Sequence, residues 1–107
     1  MAVNYRETDF VAAVKEFSGG RGADVILDIV GADYLDRNLD ALAVDGQLIV
    51  IGMQRGTKGE LNLGKLIGKR ARVVGTALRS RSVEGKGAIV DEVVTHVWPM
   101  LSDGRVR

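Results

Sequence analysis

Glycine stands at or beside the end of three apolar runs: Val30-Gly31-Ala32, Ile51-Gly52-Met53, and Thr76-Ala77-Leu78 just after Gly75. A residue without Cβ lets a flat ligand or a phosphate approach the backbone. Any one of these glycines is equally well a simple turn, but three at one rim describe a binding site better than three unrelated turns do. Asn4-Tyr5-Arg6-Glu7 sets an aromatic ring beside a guanidinium. On physics alone Tyr5 can lie on an adenine ring, bond a phosphate through its hydroxyl, or simply pack. Arg79-Ser80-Arg81-Ser82, with Lys65, Lys69, Arg70 and Arg72 nearby in sequence, forms a basic cluster. Composition favours a solvated surface there; the sharper reading is anion contact, because arginine grips phosphate and carboxylate bidentately.

Three other features carry less. Asp28 lies in the run VILDIVG and invites comparison with a phospho-accepting receiver domain. The acidic pair and the strand-end lysine that would hold Mg²⁺ and phosphate are missing, so a hydrogen-bonded structural aspartate is the better expectation. Residues 59–65, GELNLGK, fill the first seven places of a P-loop, but Leu66 stands where Mg²⁺ needs a Ser or Thr hydroxyl. That match reads as chance, on a short surface helix whose lysines face water. His96 has no catalytic partner within sequence reach and reads as a surface or core histidine. No residue is assigned as a catalytic acid or base.

Composition narrows the classes further. The 107 residues contain no cysteine and one histidine, which excludes disulfides, a thiolate nucleophile and a two-histidine or thiolate metal site within the chain. No metal site is expected. A net charge of +1 gives no electrostatic reason to expect nucleic acid. No apolar run is long enough to span a membrane. A cytoplasmic protein with neither membrane nor nucleic-acid partners is the expectation. Fourteen glycines against one proline point to turns and close backbone approach rather than to rigid loops.

These candidates need elements to position them. Residues 24–30, 47–52 and 71–77 are short β-branched runs, read as strands buried on both faces of a parallel sheet. Helical periodicity lies between them. Phe10, Val11, Val14 and Phe17 mark one apolar face, capped by Thr8 or Asp9 and ended by Gly19-Gly20. Leu35, Leu39, Leu42 and Ala43 mark the next, with Asp33 as its N-cap and Gly46 just past its end. A short helix over 62–69 buries Leu63, Leu66 and Ile67. A last helix from about Glu84 turns Ile89, Val90, Val93, Val94, Val97 and Leu101 inward, and Pro99 ends or kinks it. The order predicts an α/β fold of three parallel strands joined by right-handed crossovers. Such a sheet leaves hydrophobic edges, and residues 2–5 read as the tail of an earlier strand. The whole therefore reads as part of a larger domain.

The ordered series NYRETDF, GADVILDIVG, DYLDRNLDALAVDGQLIVIG, LNLGKLIGKR and RVVGTALRSR resembles the zinc-independent, zeta-crystallin-like quinone oxidoreductases of the medium-chain dehydrogenase/reductase superfamily. The resemblance covers essentially residues 1–107. It implies a partial Rossmann fold, the second half of a doubly wound sheet from the tail of strand three through strand six. The glycine-rich pyrophosphate loop of that family has no counterpart here. The resemblance implies NADPH as cofactor and hydride transfer to a quinone or activated alkene, with this chain alone inactive. It places Tyr5 at the 2′-phosphate side, and Gly31 and Ala32 by the adenine and ribose. Ile51, Gly52 and Met53 fall at the nicotinamide half, and Thr76, Ala77 and Leu78 beside the nicotinamide. It also implies a homodimer through strand 73–77. A second class of function stays open beside it, a non-catalytic half-Rossmann module that dimerises or binds nucleotide.

Overall fold

A computed structural model describes all residues 1–107. The chain divides into two compact units, Met1–Thr76 and Ala77–Arg107. In the first, helix α1 (Phe10–Phe17) leads to strand β1 (Ala23–Asp28), a 3-10 turn (Ala32–Tyr34), helix α2 (Leu35–Ala41), strand β2 (Leu42–Val50), helix α3 (Leu63–Gly68) and strand β3 (Arg72–Gly75). The three strands form one parallel sheet in the order β1-β2-β3. The second unit holds helices α4 (Val83–His96) and α5 (Trp98–Ser102).

Local chemistry accounts for most boundaries. Asp9 caps α1 by accepting the Val11 N–H at 3.0 Å, and the helix stops where Gly19 and Gly20 take φ values of 67° and 90°. Asn62 and Ser82 cap α3 and α4 in the same way. Val97 closes α4, and Pro99 sits in the first turn of α5, where its missing N–H has no role.

Several expectations are corrected. The second helix is shorter than its periodicity suggests, because Leu42 takes ψ 145° and begins β2, which Ala43 continues. The start of β2 is bulged: Ala23 pairs with Leu42 but Val25 with Gln47, and Asp45, at φ 64°, lies within the extra residues. Asp33 is not the cap of α2. Tyr34 holds that position after the 3-10 turn, with no side-chain cap. The first strand ends at Asp28 and the third at Gly75, each two residues short of its run. Residues 2–5 form no strand.

The core is small, built from Leu39, Leu42 and Leu48, with Ile26, Leu35, Val50, Leu66 and Ala71 against it. The strands are therefore not buried on both faces: Val25 is 54% and Leu27 64% exposed, and every residue of β3 is exposed. Leu63 and Ile67 of α3 are exposed as well, as are the α4 and α5 residues expected to face inward, Ile89, Val90, Val93, Val94, Val97 and Leu101.

Candidate functional site

β1 and β2 run side by side, so their carboxyl ends, Asp28 and Val50, meet at one rim. In parallel α/β sheets that rim is where ligands bind. Asp28 organises it. Only 5% exposed, its carboxylate accepts the Val30 N–H at 3.1 Å and the Gly31 N–H at 2.8 Å, which is the structural role expected of it. Gly31 then takes φ 90° and ψ −136°, backbone space open in practice to glycine alone. A Cβ at this position would stand 2.6 Å from the Gly56 carbonyl oxygen and 3.0 Å from Met53 Cα.

The loops after β1 and β2 fasten to each other through main-chain bonds. Gln54 N–H donates to Ile29 O at 3.1 Å and Arg55 N–H to Val30 O at 2.8 Å. In the other direction, Ala32 N–H donates to Gly56 O at 3.1 Å and Asp33 N–H to Arg55 O at 3.3 Å. Between the loops lies a cavity of about 250 Å³ whose walls include Gly31, Ala32, Leu35, Val50, Met53 and Thr57. The N–H groups of residues 30–33 are all engaged, so this wall offers no free main-chain donors to a phosphate. Its mostly apolar lining suits a ring or sugar face instead.

Of the residues singled out from the sequence, Gly31, Ala32 and Met53 come together in this crevice. Gly52 serves close packing beneath it, since a Cβ would stand 3.0 Å from the Ile29 carbonyl oxygen. Ile51 donates its N–H to Asp28 O at 2.8 Å, and Thr76 donates its N–H to Val50 O at 3.1 Å, so both extend the ladder. Ala77 and Leu78 belong to the second unit. Tyr5 lies in an exposed turn, with Arg6 stacked 5.8 Å from its ring centroid and Arg6 Nε donating to its hydroxyl at 3.4 Å. The crevice also draws in Gly56, Thr57 and Gly59, which sequence reasoning passed over. Their signal was the glycine-rich loop 53–60, the one long connection in the chain.

Three members of the basic cluster, Lys65, Lys69 and Arg70, are spent on structure. Arg70 pairs with Asp45 at 2.9 Å. Lys65 and Lys69 are half-buried and engaged rather than free in water. Lys65 Nζ bridges Asp36 and Asp40 at 2.8 and 2.9 Å, and those bonds, Asp36 first, raise its pKa. Lys69 Nζ donates to the carbonyls of Leu39, Asp40 and Leu42 at 2.6–2.7 Å. Burial, and then Lys15, lower the Lys69 pKa. His96 pairs with Glu92 on the surface. No group of three or more His, Cys, Asp or Glu side chains is placed to hold a metal, and no helix is long and apolar enough to cross a membrane.

Three parallel strands with flanking helices, and a crevice at their carboxyl rim, define half of a doubly wound, Rossmann-like α/β domain. Residues 1–93 match the family model described as zinc-binding dehydrogenase, and the chain belongs to that family. Its relatives include quinone oxidoreductase 1 of Escherichia coli (strain K12), 41% identical over 64 residues, which cover 60% of this chain and 20% of that protein. The 2-haloacrylate reductase of a Burkholderia species is 30% identical over 99 residues, covering 85% of this chain and 30% of that one. Among solved structures, Escherichia coli quinone oxidoreductase complexed with NADPH aligns with a TM-score of 0.72 at 29% identity, over 98% of this chain and 32% of that chain. The chain thus spans a third or less of the length of each of these relatives.

Proposed function

We propose that this chain is the part of an NADPH-dependent, zinc-independent oxidoreductase that seats the cofactor for hydride transfer to a quinone or activated alkene. The observation that carries the reading is the crevice itself. It lies at the carboxyl rim, and Gly31, Ala32 and Met53, three positions expected from the sequence to touch cofactor, form its walls. The mostly apolar lining supports seating a ring-and-sugar portion of a dinucleotide there, and the engaged N–H groups of residues 30–33 support a pyrophosphate held elsewhere. The similarity to a quinone oxidoreductase solved with NADPH supports the choice of cofactor. Bound NADPH supplies the hydride; the residues of this chain hold and orient it and exclude water. In this reading Tyr5 meets the 2′-phosphate side, Ile51 and Gly52 with Met53 the nicotinamide half, and Thr76, Ala77 and Leu78 the nicotinamide flank. The exposed ring and guanidinium of Tyr5 and Arg6 suit an anionic sugar phosphate. The setting we propose is cytoplasmic.

Two titrations test this. NADPH added to the 107-residue chain is expected to bind weakly and to support no turnover; tight binding would refute the assignment of a partial site. In the enzyme that contains this chain, Tyr5→Ala is expected to weaken NADPH about tenfold while leaving NADH nearly unchanged. Equal losses for the two cofactors would remove the 2′-phosphate role. We also propose a homodimer through residues 73–77, supported by the exposed Val73 and Val74 on the outer strand β3.

A further inference from the structure

We infer that Lys65 and Lys69 form a clamp that sets the width of the crevice without touching it. The loop after β1 runs into α2, and the loop after β2 runs into α3, so the spacing of these two helices acts on the crevice together with the main-chain bonds between the loops. Lys65 and Lys69, one turn apart along α3 and its cap, both reach to α2. Lys65 holds the side chains of Asp36 and Asp40, which are themselves one turn apart. Lys69 holds the main chain: its three donors meet the carbonyls of Leu39 and Asp40 in the last turn of α2, which helix geometry leaves without partners, and that of Leu42 at the start of β2. A cation at a helix C-terminus is further favoured by the helix dipole. Beneath this pair the only apolar link from α3 to the core is Leu66. With so little apolar packing under it, α3 is held against α2 by the two ammonium groups, while Asp45 ties its C-terminal end to β2. The inference does not depend on what occupies the crevice.

Amide hydrogen exchange on the 107-residue chain tests it. The Ala32 and Asp33 amides donate across the two loops, to Gly56 and Arg55, whereas the Val30 and Gly31 amides are held locally by Asp28. Lys69→Met is expected to speed exchange at Ala32 and Asp33 by about tenfold or more, leaving Val30, Gly31 and the ladder amide of Ile51 within about threefold. Lys65→Gln, which leaves the three-carbonyl cage intact, is expected to give the same pattern to a smaller degree, and it carries the test should Lys69→Met not fold. Unchanged exchange at Ala32 and Asp33, or an equal rise at all five amides, would overturn the clamp and leave the lysines as general stabilisers.

Discussion

Asp28 and Gly31 show how much of the rim rests on two side-chain choices, one a carboxylate and the other no side chain at all. Asp28 spends both oxygens on the next turn, and that turn takes a conformation only glycine adopts. Gly31→Ala is therefore expected to destabilise the chain by about 1–3 kcal/mol from backbone strain alone, with more from the collision of its Cβ with Gly56. Chemical denaturation measures this; an unchanged midpoint would mean the two loops are free to part. The glycine at position 31 was legible in the sequence as a close approach, but the partner was not. Residues 31 and 56 are distant in sequence and meet only because β1 and β2 lie side by side. The P-loop-like spacing of residues 59–65 shows the converse. Its lysine has a partner, but that partner is a pair of aspartates on α2 rather than a phosphate.

Periodicity located α1 to α4, with α5 read as the end of α4, yet it misplaced the cap of α2 and the junction from α2 to β2. Leu42 and Ala43 continue the apolar face of the helix, so spacing alone assigns them to it. What decides is pairing: Leu42 sits opposite Ala23, and burial in the sheet outweighs one more helical turn. The bulge that follows is held from outside by Arg70, whose guanidinium bonds Asp45, and by the Asp45 N–H donating to Lys69 O at 2.7 Å. Arg70 lowers the Asp45 pKa below its ordinary value of 3.8. A carboxylate with a depressed folded pKa contributes stability above its unfolded value and loses that contribution as pH falls through the folded value. A melting-temperature series from about pH 6 to about pH 2 at low salt is thus expected to fall more steeply for the native chain than for Asp45→Asn. Asparagine tolerates the left-handed backbone at this position, so the comparison isolates the charge. The pair is fully exposed, and high salt is expected to shrink the difference. Identical acid limbs would show that the pair holds nothing.

At the scale of the molecule, the sheet has two outer strands and both present apolar side chains. Val25 and Leu27 stand out from β1, and Val73 and Val74 from β3. Open edges of this kind template association. If the dimer forms through residues 73–77, Val74→Lys is expected to leave a monomer at concentrations where the native chain scatters light as a dimer. Equal masses for the two would exclude that edge. Ile89, Val90, Val93 and Val94 of α4 and Leu101 of α5 have the periodicity of a buried face, yet they stand exposed.

The sequence by itself determined the local and periodic features. These are the three strands and their parallel class, the cap of α1 at Thr8 or Asp9, the break at Pro99, the structural part of Asp28, and the family through the order of its motifs. Each depends on residues a few positions apart, where backbone stereochemistry and helix or strand period act directly. The tertiary structure alone decided which loop closes on which, that Lys65 and Lys69 serve α2, that Gly56, Thr57 and Gly59 join the crevice, and that the apolar faces stay exposed. Those outcomes depend on residues brought together by the pairing of β1 with β2 and of β2 with β3. Spacing along the chain carries no record of distance across a sheet.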